Sequence, residues 1–90
     1  MKILKFGHKG CEGCKIMAPR FAEIEKENPD LITEYYDVED DKNRKILEKF
    51  NIEHAPVFVF IDQKGNEIER LLDIHPKEEI LELIDKYKNR

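Results

Sequence analysis

The sequence predicts one small α/β domain, and three observations support this. The chain has 90 residues, which leaves no room for a second hydrophobic core, so residues 1–90 are expected to form a single domain. Twenty-six residues are Ile, Leu, Val or Phe, which is too many for a chain that is disordered by composition. Segments rich in β-branched residues alternate with segments whose apolar residues recur every three or four positions, as strands alternate with helices.

The first half of the chain predicts a strand–helix–strand unit. Residues 3–6 form a short apolar strand, β1, which is interrupted by one charged residue, Lys5. Apolar residues at helical spacing predict a helix, α1, over residues 10–28, where a following proline ends it. Residues 31–36 form a second strand, β2. This kind of connection makes β1 and β2 parallel, with a right-handed crossover.

The second half predicts a helix, two strands and a last helix. Residues 42–50 carry the apolar stripe of α2, and residues 57–61 are apolar throughout, so β3 should be buried on both faces. A five-residue turn then leads to β4 at residues 67–72, whose charged residues suit a sheet edge. Pro76 occupies the expected first position of α3. The element order is β1-α1-β2-α2-β3-β4-α3, with an antiparallel β3–β4 hairpin.

Charge and hydropathy exclude two classes of partner. Charged residues make up 40% of the chain and sum to a net charge of −4, which argues against binding to the phosphate backbone of a nucleic acid. The longest apolar run, residues 55–61, is far shorter than the roughly 20 residues that span a bilayer. The start of the chain has no signal-peptide pattern. We therefore expect a cytoplasmic protein with no nucleic-acid or membrane partner.

The two cysteines, Cys11 and Cys14, form a CxxC pair at the start of α1. In the cytoplasm such a pair is more often redox-active or metal-binding than structural. Zinc takes four ligands, which here would have to include His8, His54 or His75. We expect no metal and no cofactor. A metal-binding, Fe–S-binding or non-catalytic partner-binding module stays open as the alternative to a redox enzyme.

Two segments carry a resemblance to a known family. Residues 10–19, GCEGCKIMAP, resemble the active-site segment of thioredoxins, which runs Cys-Gly-Pro-Cys-Lys and has a proline five residues after the second cysteine. Residues 50–60, FNIEHAPVFVF, resemble the segment that carries a cis-proline before a buried strand, with Pro56 at that position. The resemblance covers almost the whole chain. It implies a thioredoxin-like three-layer sandwich with a four-stranded mixed sheet, ordered 2-1-3-4, and helices on both faces.

The resemblance implies a thiol–disulfide oxidoreductase of the thioredoxin and glutaredoxin type. Cys11 lies at a helix N-terminus, where the backbone N–H groups favour a thiolate, and its pKa should fall from about 8.5 toward roughly 7. Cys11 would attack a protein disulfide, and Cys14, expected to be the more buried sulfur, would resolve the mixed disulfide. The implied role is electron transport by a monomer that is reduced by a donor such as thioredoxin reductase or glutathione.

Four further residues are expected to tune this chemistry. Glu12 places a like charge beside the thiolate and disfavours it, whereas Lys5 and Lys15 favour it. Lys5 stands where the family often has a buried aspartate. If its side chain points toward Cys14, it could stabilise that thiolate or, as the free amine, accept its proton; if its ammonium reaches out to solvent, it is only structural. Gly13 should let the loop bring the sulfurs together. Because the rigid proline between the cysteines is missing, we expect a reduction potential between about −270 and −200 mV.

Three residues are expected to bind the substrate: Ala55, Pro56 and Ile74. A cis bond before Pro56 would place the Ala55 backbone beside the sulfurs. An extended substrate segment could then pair with that backbone as an added strand.

Overall fold

A computed structural model describes residues 1–90 and contains strands and helices in the predicted order. The strands are β1 (Lys2–Gly7), β2 (Ile32–Asp37), β3 (Val57–Ile61) and β4 (Glu67–Leu72). The helices are α1 (Glu12–Glu27), α2 (Arg44–Lys49) and α3 (Lys77–Tyr87). None of these helices has the length and apolar character needed to cross a membrane.

Two helix starts differ from the sequence-based prediction. The segment predicted to open α2 is a 3-10 turn, Asp41–Asn43, because the Asp40 side chain accepts a hydrogen bond from the Lys42 N–H and caps that turn first. Pro76 is not the first helical residue of α3. It has extended backbone angles, φ −66° and ψ 151°, and precedes the helix as its N-cap residue.

The sheet has the predicted order, β2-β1-β3-β4. β1 pairs with β2 in parallel and with β3 antiparallel, and β3 and β4 form the antiparallel hairpin. In this register Lys5, in the middle of β1, lies opposite Tyr35 on one side and Phe58 on the other. Directly paired residues point to the same sheet face, so these three side chains share a face.

Helices cover both faces of the sheet and create two hydrophobic clusters. On one face, α1 and α3 pack on alternate residues of the strands, including Ile3, Phe58 and Phe60. On the other face, Phe50 and the residues of α2 pack on the intervening positions, including Leu4 and Val59. β3 is buried at every position, as predicted for a strand covered on both faces. This is the three-layer α/β sandwich that the resemblance implied.

Candidate active site

The CxxC pair lies at the junction between β1 and α1. Cys11 is the N-cap residue of α1, with extended backbone angles, and its sulfur accepts a hydrogen bond from the Cys14 N–H at 3.1 Å. The two cysteines form a disulfide whose Cα atoms are 5.2 Å apart. Of the two sulfurs, the Cys11 sulfur is the one that accepts a hydrogen bond from a free N–H group of the helix N-terminus. This hydrogen bond stabilises a thiolate at Cys11 after reduction.

The expected burial of the two sulfurs is wrong in this disulfide form. Cys11 is buried, with 7% of its surface exposed, whereas Cys14 is half-buried. The reason is a cavity of about 130 Å³ on the α1 side of the sheet, which Cys14 lines together with Phe21. Sequence periodicity correctly placed Cys14 and Phe21 on one helix face, but it could not show that this face borders a cavity.

Two glycines allow close packing around the cysteines. A Cβ atom on Gly7, at the end of β1, would lie 2.9 Å from the Cys14 sulfur. A Cβ atom on Gly13 would lie 2.9 Å from Pro56 Cδ. Gly13 belongs to α1 rather than to a loop, so it contributes by omitting a side chain where Pro56 approaches, and not by the loop flexibility that we expected.

Two of the expected substrate-binding residues, Pro56 and Ile74, lie next to Gly13, and Ala55 directly precedes Pro56. The Ala55–Pro56 peptide bond is cis, and the Pro56 carbonyl accepts a hydrogen bond from the Asp73 N–H at 3.0 Å. Ile74 is 48% exposed, and its Cγ1 lies 3.6 Å from the position of a Gly13 Cβ. Neither the N–H nor the carbonyl of Ala55 makes a backbone hydrogen bond within the protein. The structure thus brings an apolar side chain and an unpaired backbone segment to one rim.

The three charged residues expected to tune the site occupy two different environments. Lys5 points toward α1, with 19% of its side chain exposed, and its ammonium donates a hydrogen bond to Glu25 at 2.7 Å. Glu12 and Lys15 form a pair at 3.4 Å on the solvent side of α1. Both side chains of that pair are largely exposed, so water screens their charges, and the effects of the two opposite charges on the thiolate offset each other. Of these three residues, Lys5 is the one whose charge lies close to the protein interior.

Lys5 and Cys14 line the same cavity. Its lining also includes Glu25 and Tyr35. Glu25 and Tyr35 were missed from the sequence. A signal for Glu25 existed, because it follows Cys14 by eleven residues, or three helical turns, and so shares its helix face. Tyr35 could be found only from the strand register.

The histidines do not assemble a metal site with the cysteines. The structure groups no three His, Cys, Asp or Glu side chains in a way that could hold a metal ion. His8 lies close to the motif, where its carbonyl accepts a hydrogen bond from the Cys11 N–H and its Nδ1 accepts one from the Gly10 N–H. His75 lies in the loop before α3, bonded to Glu79 and the Leu72 carbonyl.

Comparison with known proteins gives one consistent answer. A family model described as Thioredoxin matches residues 1–86. The chain is 29% identical to thioredoxin H3 of Arabidopsis thaliana over 96% of its own length and 70% of the relative. It is 31% identical to thioredoxin H-type 1 of Nicotiana tabacum over 94% of its length and 64% of that protein.

A solved structure agrees over nearly its whole length. Thioredoxin 1 of Thermosipho africanus TCF52B superposes with a TM-score of 0.80 and 28% identity, covering 99% of this chain and 96% of the other. The family match over residues 1–86 includes the CxxC pair at the start of α1 and the segment around Pro56. The chain therefore belongs to the thioredoxin family and is a thiol–disulfide oxidoreductase.

Proposed function

We propose that the protein reduces disulfide bonds of other proteins with Cys11 as the attacking sulfur and Cys14 as the resolving sulfur. The observation that carries this assignment is the hydrogen bond from the Cys14 N–H to the Cys11 sulfur at the N-terminus of α1. In the reduced protein the same N–H and the helix dipole favour a thiolate at Cys11.

The proposed exchange has two balanced steps. The Cys11 thiolate attacks one sulfur of the substrate disulfide, and the other substrate sulfur leaves as a thiolate. The Cys14 thiolate then attacks the Cys11 sulfur, which forms the Cys11–Cys14 bond and releases the second substrate thiolate. The two electrons that leave the enzyme dithiol end on the substrate, and the disulfide form of the site is the product.

Substrate binding is proposed for the rim formed by Ala55, Pro56 and Ile74. The unpaired backbone of Ala55 offers a donor and an acceptor to an extended substrate segment. Ile74, which like Pro56 lies next to Gly13, offers exposed apolar surface to a side chain next to the substrate cysteine.

Redox tuning is proposed chiefly for Lys5. Its ammonium lies in the wall of the cavity that Cys14 also lines, so it favours a negative charge on that sulfur. Glu25 holds the ammonium in place and partly offsets its charge. Glu12 and Lys15 contribute little because their exposed charges cancel. Gly13 contributes by letting Pro56 approach the cysteines.

Turnover requires a reductant for the Cys11–Cys14 disulfide. Membership of the thioredoxin family implies a reductase partner in general. We propose that thioredoxin reductase or glutathione donates the electrons. We also propose that the protein is a monomer and acts in the cytoplasm. Reduction by NADPH with thioredoxin reductase, compared with reduction by glutathione, identifies the donor. Sedimentation of the reduced and oxidised protein tests the monomer.

Trapping tests the roles of the two cysteines. A Cys14→Ser variant should accumulate mixed disulfides through Cys11, since the resolving step is removed. A Cys11→Ser variant serves as the matched control and should trap far less. Equal trapping by both variants, or failure of the reduced wild-type protein to reduce insulin, would contradict the proposal.

A further inference from the structure

His75 is anchored at four points in the loop between β4 and α3. Its ring Nδ1 lies 3.0 Å from a Glu79 carboxylate oxygen, and its Nε2 lies 2.8 Å from the Leu72 carbonyl oxygen. Its backbone N–H donates to the Met17 sulfur at 3.5 Å, and its carbonyl accepts from Arg20 Nη1 at 2.5 Å. One residue thus links β4, α1 and α3.

Both ring nitrogens of His75 face hydrogen-bond acceptors. A carbonyl oxygen and a carboxylate can only accept, and a neutral imidazole has a single N–H, so it satisfies one of the two. The imidazolium has two N–H groups and satisfies both. Burial lowers the pKa of His75, but the bonds to Glu79 and the Leu72 carbonyl, together with the charges of Glu79 and Asp73, raise it above the usual value.

Two cations on the packed helices are engaged away from the imidazole ring. Arg20 of α1 lies on the His75 carbonyl rather than on the ring. Lys77 of α3 is paired with two carboxylates of α1, Glu23 and Glu27. The charges close to the imidazole ring are therefore the carboxylates of Glu79 and Asp73.

The same loop forms one wall of the active-site rim. On one side of Ile74, the Asp73 N–H is bonded to the Pro56 carbonyl at 3.0 Å. On the other side, His75 is bonded to α1 and α3. The position of Ile74 against Gly13 is thus set by its two neighbours, one tied to the site and the other to the helices.

We propose that His75 is a positioning residue whose imidazolium holds the β4–α3 loop closed and keeps Ile74 in place to bind protein substrates. On deprotonation one of the two ring hydrogen bonds is lost, the loop loosens, and protein disulfides bind more weakly. The proposal rests on the proposed function in one respect, the contact of Ile74 with substrate.

The direction of the pH dependence follows from the proton count. The folded protein binds the His75 proton more tightly than the unfolded chain, whose histidine pKa is about 6.5. Both ring hydrogen bonds of His75 are therefore formed below about pH 6.5, and one of them is lost as the pH rises through the higher pKa of the folded state.

NMR titration of the oxidised protein tests whether the protonation of His75 controls the position of Ile74, without interference from a thiol. From pH 5.5 to 9, the His75 ring and the Ile74 methyl resonances should follow one midpoint above 6.5. Glu79→Gln should lower both midpoints together, whereas His54→Gln, which removes another histidine near the site, should move neither. An Ile74 resonance that does not follow His75 would overturn the proposal.

Kinetics test the consequence for substrates. At each pH the rate constant for insulin is divided by the rate constant for a small aromatic disulfide, which cancels the ionisation of Cys11. For the wild-type protein this ratio should fall several-fold between pH 6 and 8.5, and for His75→Gln it should be low and independent of pH. A constant wild-type ratio, measured while His75 titrates by NMR, would refute the role in binding even if the trapping experiment succeeds.

Discussion

At the scale of single residues, the site depends on missing side chains as much as on its sulfurs. Gly7 leaves room for the Cys14 sulfur, and Gly13 leaves room for Pro56. The contact at Gly7 involves a sulfur whose position is fixed by the disulfide. In the dithiol form the same sulfur is free to rotate, so crowding at this position should affect the two redox states unequally.

Gly7→Ala is therefore expected to raise the reduction potential. A Cβ at 2.9 Å from the Cys14 sulfur disfavours the disulfide form by about 1–3 kcal/mol, the usual cost of overpacking, which corresponds to roughly 20–60 mV. Equilibration with a glutathione buffer measures the potential. Gly10→Ala is the control, because its Cβ would meet only the His8 ring at an ordinary 3.5 Å. An unchanged or lower potential in Gly7→Ala would count against this account.

Removing the charge of Lys5 and removing the charge of Glu25 should shift the pKa of the Cys14 thiol in opposite directions. In a Cys11→Ser background Cys14 is the only thiol, and its alkylation rate against pH reports its pKa. Lys5→Met should raise that pKa because a positive charge is removed from the cavity wall, and Glu25→Gln should lower it. Lys15→Met, on the solvent side of α1, should change it little. Shifts of equal sign in the first two variants would contradict the assignment.

At the scale of elements, the sequence predicted what depends on local pattern. β3 was predicted with its observed bounds because five consecutive apolar residues require burial on both faces. The CxxC pair was placed at the start of α1 because the helix pattern begins there. The start of α2 was less accurate, since the Asp40 cap favours a 3-10 turn that apolar periodicity does not reveal.

What the sequence could not predict depends on distant pairing. The partner of Lys5 is Glu25, twenty residues away, and the two meet only because α1 packs across β1. The higher exposure of Cys14 depends on a cavity whose walls come from separate elements. Contacts of this kind follow from tertiary packing, which neither propensity nor spacing determines.

The β2 strand carries a pH-dependent contact that can be tested independently of the cysteines. The Tyr36 hydroxyl donates to Glu34 at 2.6 Å, and its ring stacks on Phe6. The hydrogen bond to Glu34, with burial and the charge of Glu34, raises the pKa of Tyr36 to about 12. The folded state therefore retains the proton that the unfolded chain loses near pH 10, and this contribution to stability disappears between pH 10 and 12.

Absorbance titration of the phenolates measures this contact. Glu34→Gln should lower the pKa of Tyr36 toward 10, and Tyr36→Phe should remove the transition near 12. Glu48→Gln, the same change of charge on α2, serves as the control and should leave that transition in place. A phenolate transition near 12 that survives in Tyr36→Phe would show that another tyrosine is responsible.

At the scale of the whole molecule, the active-site disulfide also crosslinks a small fold. The core is divided into two clusters, one on each side of the sheet, and Cys11 and Cys14 lie where α1 joins that sheet. Closing even the short loop between Cys11 and Cys14 restricts the unfolded chain, which loop-closure entropy puts at about 2 kcal/mol. Redox state and global stability are therefore coupled.

Thermal unfolding should separate this crosslink from thiolate stabilisation. The oxidised protein should unfold at a midpoint roughly 8–16 °C above the Cys11→Ser/Cys14→Ser variant, given about 2 kcal/mol in a 90-residue domain. The reduced protein at pH 8 should unfold between the two, because a Cys11 thiolate keeps the hydrogen bond from the Cys14 N–H that a serine hydroxyl makes more weakly. The gap between the reduced protein and the double variant should narrow as the pH falls and Cys11 becomes protonated. A gap that does not narrow as the pH falls would mean that the helix N-terminus does not favour the thiolate, and the assignment of Cys11 as the attacking sulfur would lose its physical basis.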